Sequence, residues 1–484
     1  MAYQPDQTQT LLWHDYETFG LDPRWDRPSQ FAAIRTDLEF NPIGEPMMWY
    51  CRPADDYLPS AGACLVTGVT PQKCLQEGLP EVEFMDLINE QMSVPGTCSL
   101  GYNSLRFDDE FTRFGLYRNF FDAYAREWQG GNSRWDLIDL VRTAASIRPE
   151  GINWPRNEAG EIVLKLDQLA PANGIEHANA HDALADVRAT IELARLLKKA
   201  QPRLYSYVFQ LKHKAQVWEQ LNLQMQKPVL HVSSMYGRDN GYLSLVGAFA
   251  KHPSNNNGVL VFDLRQDPRL WQGYSTTQLQ ELLFSIKDQL PMGTVRPAVK
   301  EIHVNKCPVV APLQTLTDDQ AQKFSIDKAQ CHMHLQYLRQ DTELCKALVE
   351  AYSKRADFPA VDPDAGLYGG GFFSDKDRKL MLKVHQQSPE TWSEGSFSFT
   401  DSRLDTMLFR LKARNYPHLL SGDEMQAWET FRSERLLDTS ASGARTYEHF
   451  AKELNELGQN TIDPAQVAIL QELHMYAESI YPVN

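Results

Sequence analysis

Two short acidic clusters and one histidine-bearing helix hold the residue types that could do phosphate chemistry. They are Asp15 and Glu17 in His14-Asp-Tyr-Glu-Thr, Asp108 in Arg106-Phe-Asp-Asp-Glu, and His181 with Asp186 in His-Asp-Ala-Leu-Ala-Asp. The apolar run Leu11-Leu12-Trp13 reads as a buried strand. Side chains alternate faces along a strand, so Asp15 and Glu17 should project side by side from its end. Carboxylates that close need a cation, and hard oxygen ligands select Mg2+ or Mn2+. Hydrolysing a phosphodiester brings water to a centre already ringed by negative oxygens. Two divalent ions about 3.5 to 4 Å apart can stabilise both the attacking and the leaving oxygen.

Each cluster also has a plainer reading. Acidic pairs such as Asp15 and Glu17 are common in turns and helix caps. Asp108 and Asp109 follow a polar loop and could cap the helix that begins there, which we accept for Asp109. Capping explains Phe107-Asp108 less well, because an aromatic beside a carboxylate at the mouth of a sheet suits a metal site. In the third cluster, small residues between the polar ones let another backbone approach closely. Asp182 and Asp186 are four apart and share a helix face, and Asp182 reads as a charge favoured by the helix dipole. His181 sits at or before the first turn, and its unperturbed pKa of about 6.5 suits a general base.

The elements that must position these groups alternate through residues 1–201, the pattern of an α/β domain. Strands are expected at 10–16, 31–37, 47–51 and 98–102, and helices at 70–77, 109–121, 135–147 and 182–199. From 202 to 355 short β-like segments at 228–232, 242–247, 258–263 and 300–304 are separated by Gly, Asn and Pro turns. Helix is expected there at 276–288 and after Asp327. Residues 356–484 read as helical, with helices at 376–385, 403–413, 422–437 and 464–481.

With 484 residues, a prior of roughly 100 to 200 residues per domain gives two to four domains, and three fit this pattern. The seven cysteines form no Cys-x-x-Cys pair, which predicts reduced, mostly buried thiols and no structural zinc. The start of the chain lacks a basic and apolar leader, and no run of about 18 apolar residues is present. A cytoplasmic protein without a membrane role is therefore expected. The net charge of -15 runs against a polyanion binder, although a local basic lining could still exist.

Sequence-tolerant grip on a single strand uses aromatic platforms and basic residues. Arg113, Tyr117, Arg118, Tyr124, Arg126, Trp128, Arg134 and Arg142 interleave over 113–142, with Lys165 nearby. Arg113, Tyr124, Trp128, Arg142 and Lys165 are the expected contacts, and Tyr117 is expected in the core. Lys212, Lys214 and His303 could add to the grip from the second domain.

The five positions Asp15, Glu17, Asp108, His181 and Asp186 resemble the DEDDh 3′–5′ exonucleases of the ribonuclease-H-like fold. Longer matches resemble the bacterial exodeoxyribonuclease I family within them. They include Asp26-Arg-Pro-Ser-Gln-Phe-Ala-Ala-Ile-Arg-Thr-Asp, Asn132-Ser-Arg-Trp-Asp-Leu, Arg148-Pro-Glu-Gly-Ile-Asn-Trp-Pro and Gly174-Ile-Glu-His-Ala-Asn-Ala-His-Asp-Ala. His303-Val-Asn-Lys-Cys-Pro-Val, Gly371-Phe-Phe-Ser-Asp and Arg410-Leu-Lys-Ala-Arg-Asn-Tyr-Pro extend the likeness along the whole chain. The resemblance implies an exonuclease domain (1–201), an SH3-like β-rich domain (202–355) and an all-helical carboxy-terminal domain (356–484). It implies degradation of single-stranded DNA to 5′-mononucleotides in repair and recombination, by a monomer using two Mg2+ or Mn2+ ions. Asp15 would bridge both ions, Glu17 and Asp186 would complete the first site, Asp108 would hold the second, and Glu17 would also meet the 3′ hydroxyl. Members are similar in binding the acidic, apolar tail of single-stranded-DNA-binding protein, for which Arg148, Tyr207 and Arg339 are candidates.

An RNA exonuclease or a proofreading unit would use the same five residues, and a catalytically silent DNA-binding scaffold could retain the fold. The intact acidic set argues against the scaffold.

Overall fold

Strand β1 (Thr10–Thr18) forms where the sequence promised it, with Leu11, Leu12 and Trp13 fully buried. The computed structural model describes residues 9–177, 182–223, 226–286, 290–353, 362–393, 395–439 and 443–482. His181 lies outside these residues. By residue contacts the chain divides into two units, Met1–Ser133 with His177–Ile191 and Phe358–Asn484, and Arg134–Glu176 with Glu192–Asp357.

In chain order, β1 is followed by β2 (Pro28–Thr36), β3 (Met47–Tyr50) and helices α1 (Ala61–Thr67), α2 (Pro71–Glu77) and α3 (Glu81–Ser93). Then come β4 (Thr97–Gly101), α4 (Asp108–Arg118), β5 (Ser133–Asp136), α5 (Leu137–Ile147), α6 (Leu166–Ala172) and α7 (Ala183–Ala200). Next are α8 (Pro202–Gln210), α9 (Lys214–Leu221), β6 (Pro228–Val232), β7 (Leu243–Lys251), β8 (Gly258–Asp263), α10 (Thr276–Phe284), β9 (Val299–His303) and β10 (Val309–Pro312). Helices α11 (Asp318–Lys323), α12 (Lys328–Gln340) and α13 (Thr342–Ser353) precede α14 (Asp375–Gln386), α15 (Arg403–Asn415), α16 (Gly422–Leu437), α17 (Tyr447–Asn460) and α18 (Pro464–Ser479).

In the first unit β3, β2, β1 and β4 lie side by side. β1 is antiparallel to β2 and parallel to β4. Leu12, Tyr16, Phe31 and Ala33 from the sheet pack on Phe84, Met85 and Ile88 of α3 and Leu116 of α4. The carboxy-terminal helices belong to this same unit. Phe114 and Tyr117 of α4 share a core with Leu404, Met407 and Leu411 of α15, and Phe19 and Tyr57 share one with Leu473 and Tyr476 of α18.

Buried ion pairs bind this unit further. Arg414 on α15 meets Asp56 at 2.8 Å and Asp364 at 2.6 Å, and Arg410 meets Asp364 at 3.1 Å. The arginines hold Asp364 well below the usual carboxylate range.

The second unit contains a five-stranded antiparallel sheet in the order β10-β6-β7-β8-β9, with a bulge between Ala248 and Ala250 in β7. Val229, Leu230, Leu245, Val259, Val261 and Ile302 are buried in it. The expected helix at 135–147 needs correction. Residues Ser133–Asp136 are strand, and the helix starts only at Leu137, where the Asp136 carboxylate accepts the Ile138 N–H at 3.0 Å. Three helices not anticipated, α1, α3 and α17, also belong to the first unit.

Candidate active site

Strand alternation places Asp15 and Glu17 on one face of β1. The register sets them opposite Ala32 and Gln30 of β2, with an irregularity between Glu17 and Thr18 where the ladder ends. Asp186 comes from the first turn of α7. One carboxylate oxygen from each of Asp15, Glu17 and Asp186 lies within 4.8 Å of the others.

Asp108, the first residue of α4, is 3 % exposed, and its Oδ1 accepts the Tyr16 N–H at 3.0 Å. That bond ties α4 to β1 between the two acids of the strand. The fourth acid thus stands beside the trio, close enough to act on its charge but outside the tight cluster.

The electrostatics follow from this crowding. Burial, then Asp186 and Asp108, push the Glu17 carboxyl up to about 9. Burial, then Asp108, Asp186 and Glu17, raise Asp15 well above its ordinary value. Without a cation the cluster keeps protons, and a divalent ion is the natural replacement for them.

Asp182 accepts the N–H groups of Leu184 and Ala185 at 3.1 and 3.0 Å, so it caps α7 as the sequence suggested. His177, which sequence reasoning passed over, hydrogen-bonds Asp186 Oδ1 through Nε2, and its Nδ1 is buried with no partner among the described residues. Its signal was present in Glu176-His177, four positions before His181 in the sequence. The other acid of the second cluster, Asp109, is not a cap. Its buried carboxylate pairs with Arg126 at 2.5 Å and Arg113 at 3.7 Å.

The expected DNA contacts separate into different environments. Arg113 is 4 % exposed, and its guanidinium meets Glu127 at 2.7 Å, Glu110 at 2.8 Å and the Tyr368 hydroxyl at 3.0 Å. It also lies 5.4 Å from the centre of the Tyr124 ring. Arg118, Arg126 and Arg134 are likewise buried, and Tyr117 lies in the core as anticipated. Trp128 is 68 % exposed. Tyr124 packs edge-on against Phe372 at 5.9 Å, and Phe372 is 84 % exposed. Phe372 and Tyr368 belong to Gly366-Leu-Tyr-Gly-Gly-Gly-Phe-Phe, where aromatics among glycines were the overlooked signal.

In the second unit Arg142 pairs with Asp139 at 2.5 Å, and Lys165 and Lys214 are exposed at the starts of α6 and α9. Lys212 instead covers the Phe209 ring at 3.5 Å. His303 Nε2 lies 3.6 Å from Glu301 and stays below its ordinary pKa, chiefly through burial. Arg148 donates to Thr315 O at 3.2 Å, the Tyr207 hydroxyl donates to Val310 O at 2.8 Å, and exposed Arg339 donates to Gln226 O. The seven cysteines are free and, apart from half-buried Cys345, buried. No described helix is long and apolar enough to cross a membrane.

Comparison with known proteins gives three family matches that cover most of the chain: Exonuclease at residues 12–194, Exonuclease I SH3-like domain at 212–354 and Exonuclease I C-terminal domain at 361–480. Exodeoxyribonuclease I of Escherichia coli K12 is 44 % identical over 476 residues, covering 98 % of each chain. The solved exonuclease I of Methylocaldum szegediense matches with TM-score 0.93 and 46 % identity over 98 % of this chain and 99 % of that one. The zinc-bound form of the E. coli ExoI–ssDNA complex matches with TM-score 0.92 and 43 % identity over 98 % of this chain and 100 % of that one.

Proposed function

The chain belongs to the exonuclease I family of exodeoxyribonucleases, and we propose from this that it removes 5′-mononucleotides from the 3′ end of single-stranded DNA. The observation that carries this reading is the gathering of Asp15, Glu17 and Asp186 within 4.8 Å, where burial and neighbouring acids raise the carboxyls of Asp15 and Glu17. Those acids suit hard divalent ions, and we assign Mg2+ to them, with Mn2+ able to replace it. A bound pair would neutralise charge on the attacking and leaving oxygens. Asp15 would be shared by both ions, Glu17 and Asp186 would complete one site, and Asp108 would serve the other.

The remaining work falls to this chain's own side chains. Glu17 accepts a hydrogen bond from the terminal 3′ hydroxyl, and His181 takes the proton from the attacking water, since a neutral imidazole is available near pH 7. Tyr124 and Trp128 offer stacking faces for bases. Arg142, Lys165, Lys214 and His303 contact the backbone, Arg142 exchanging its Asp139 partner for phosphate. The aromatic exposure of Trp128 and the lysine exposures support this assignment.

Arg148, Tyr207 and Arg339 would receive the acidic tail of single-stranded-DNA-binding protein, with the arginines on its terminal carboxylate. The division into domains 1–201, 202–355 and 356–484, a monomeric state and a cytoplasmic role in DNA repair and recombination complete the reading.

The test is a digest of 3′-labelled single-stranded DNA, duplex DNA and RNA, with free and blocked 3′ ends, in Mg2+ and in EDTA. Loss of label from unblocked single-stranded DNA in Mg2+ alone is expected. Degradation that persists in EDTA, or that ignores a blocked 3′ end, overturns it.

A further inference from the structure

Gln30 is 1 % exposed and stands at the centre of a three-strand row, opposite Glu17 on β1 and Tyr50 on β3. Residues in register share a face of a sheet and are close neighbours. Gln30 is therefore the flanking side chain of a carboxylate in the cluster. Its amide is used at both ends. Nε2 donates to the Tyr50 hydroxyl at 3.1 Å and to Met48 Sδ at 3.2 Å, and Oε1 accepts the Ala183 N–H at 3.4 Å.

That last bond reaches the first residue of α7, the helix that carries Asp186. The first N–H groups of a helix have no partner inside it. Here Asp182 accepts those of Leu184 and Ala185 through its side chain and that of Asp186 through its backbone oxygen at 3.0 Å. Ala183, fully buried, gives its N–H to Gln30. The helix start is thus pinned from two sides, by its own capping acid and by the sheet.

We propose that Gln30 is a positioning residue for the carboxylate cluster, fixing the start of α7 against β1 and β2 so that Asp186 meets Asp15 and Glu17. The inference rests on the metal-site reading above. It also accounts for the residue type. A glutamate here could accept the same N–H, but it would set another negative charge beside Glu17. A leucine or methionine would leave a buried N–H unsatisfied, free to turn the helix away. The neutral amide supplies the acceptor without the charge.

The test compares wild type with Gln30→Met, which keeps shape and removes the acceptor, and Gln30→Asn, which keeps the amide and shortens its reach. Asp186→Asn serves as a control. Mn2+ binding is measured by calorimetry on the full chain, with kcat and KM on oligo-dT. Both Gln30 variants should bind Mn2+ about 10- to 100-fold more weakly, the range for groups that orient metal ligands. Their kcat should recover as Mg2+ is raised, with KM for DNA unchanged. Mn2+ affinity within about twofold of wild type in the Gln30 variants, while Asp186→Asn loses binding, overturns the role of Gln30 even if stability in EDTA falls. Wild-type affinity in Asp186→Asn overturns the metal-site reading itself.

Discussion

Replacing the Glu17 carboxyl by an amide should stabilise the metal-free protein at and above neutral pH. Its carboxyl is pushed up to about 9, so above the ordinary carboxylate range the folded state holds a proton that the unfolded chain would release. Stability in EDTA therefore falls as pH rises toward 9, and Glu17→Gln abolishes this part of the loss. Thermal melts near neutral pH should show a higher Tm in EDTA for the variant, and a rise with Mg2+ in wild type only. If His181 is the general base, as proposed, it acts on rate rather than on binding. His181→Ala should lower kcat by about 10²- to 10⁴-fold while Mn2+ and single-stranded DNA still bind. An unchanged rate from pH 6 to 9 in that variant removes the general base. At this scale the sequence showed which side chains had the right chemistry, because carboxylates and imidazole carry it intrinsically. It did not show that Arg113 also pairs with Glu127, since a partner 14 residues away in a separate 3-10 turn leaves no periodic trace.

At the scale of elements, helix α15 is held by charge as well as by apolar packing. Arg414→Met would leave buried Asp56 with only the longer pair to Arg435 at 3.5 Å and Asp364 with Arg410 at 3.1 Å, a loss of up to about 3 to 5 kcal/mol. Denaturant unfolding should show that loss, and adding Asp56→Asn and Asp364→Asn should recover much of it. Both acids lie below their ordinary pKa because of the arginines around them. Their contribution is complete above the unfolded carboxylate pKa and is lost as pH falls through the folded values. The triple variant should therefore lose less stability than wild type on acidification below about pH 4. The strands at 228–232 and 258–263 and the helix at 422–437 were legible because alternation, helical periodicity and capping are local. The strand at 133–136 was misread because four buried residues run directly into a helix with no turn between them.

For the whole molecule, the net charge of -15 must coexist with a grip on a polyanion. If Arg142, Lys165 and Lys214 each meet one phosphate, the slope of log affinity against log salt should be about -2, at roughly 0.7 per contact on a single strand. Fluorescence anisotropy across a salt series measures it, and Lys165→Ala should flatten the slope by about 0.7. A slope near zero removes all three from the path. The sequence by itself determined which acidic side chains could gather as a cluster, the α/β, β-rich and helical succession, and the burial of most of the cysteines. These follow from side-chain type and from periodicity within one element. Only the tertiary structure decided that the carboxy-terminal helices share cores with α4, which begins at Asp108, and with Phe19 just past β1. It also decided that Arg414 closes on Asp56 across 358 residues and that Gln30 reaches the helix of Asp186 across 153. Such contacts join surfaces made by different elements, so no stretch of chain contains both halves of the pattern.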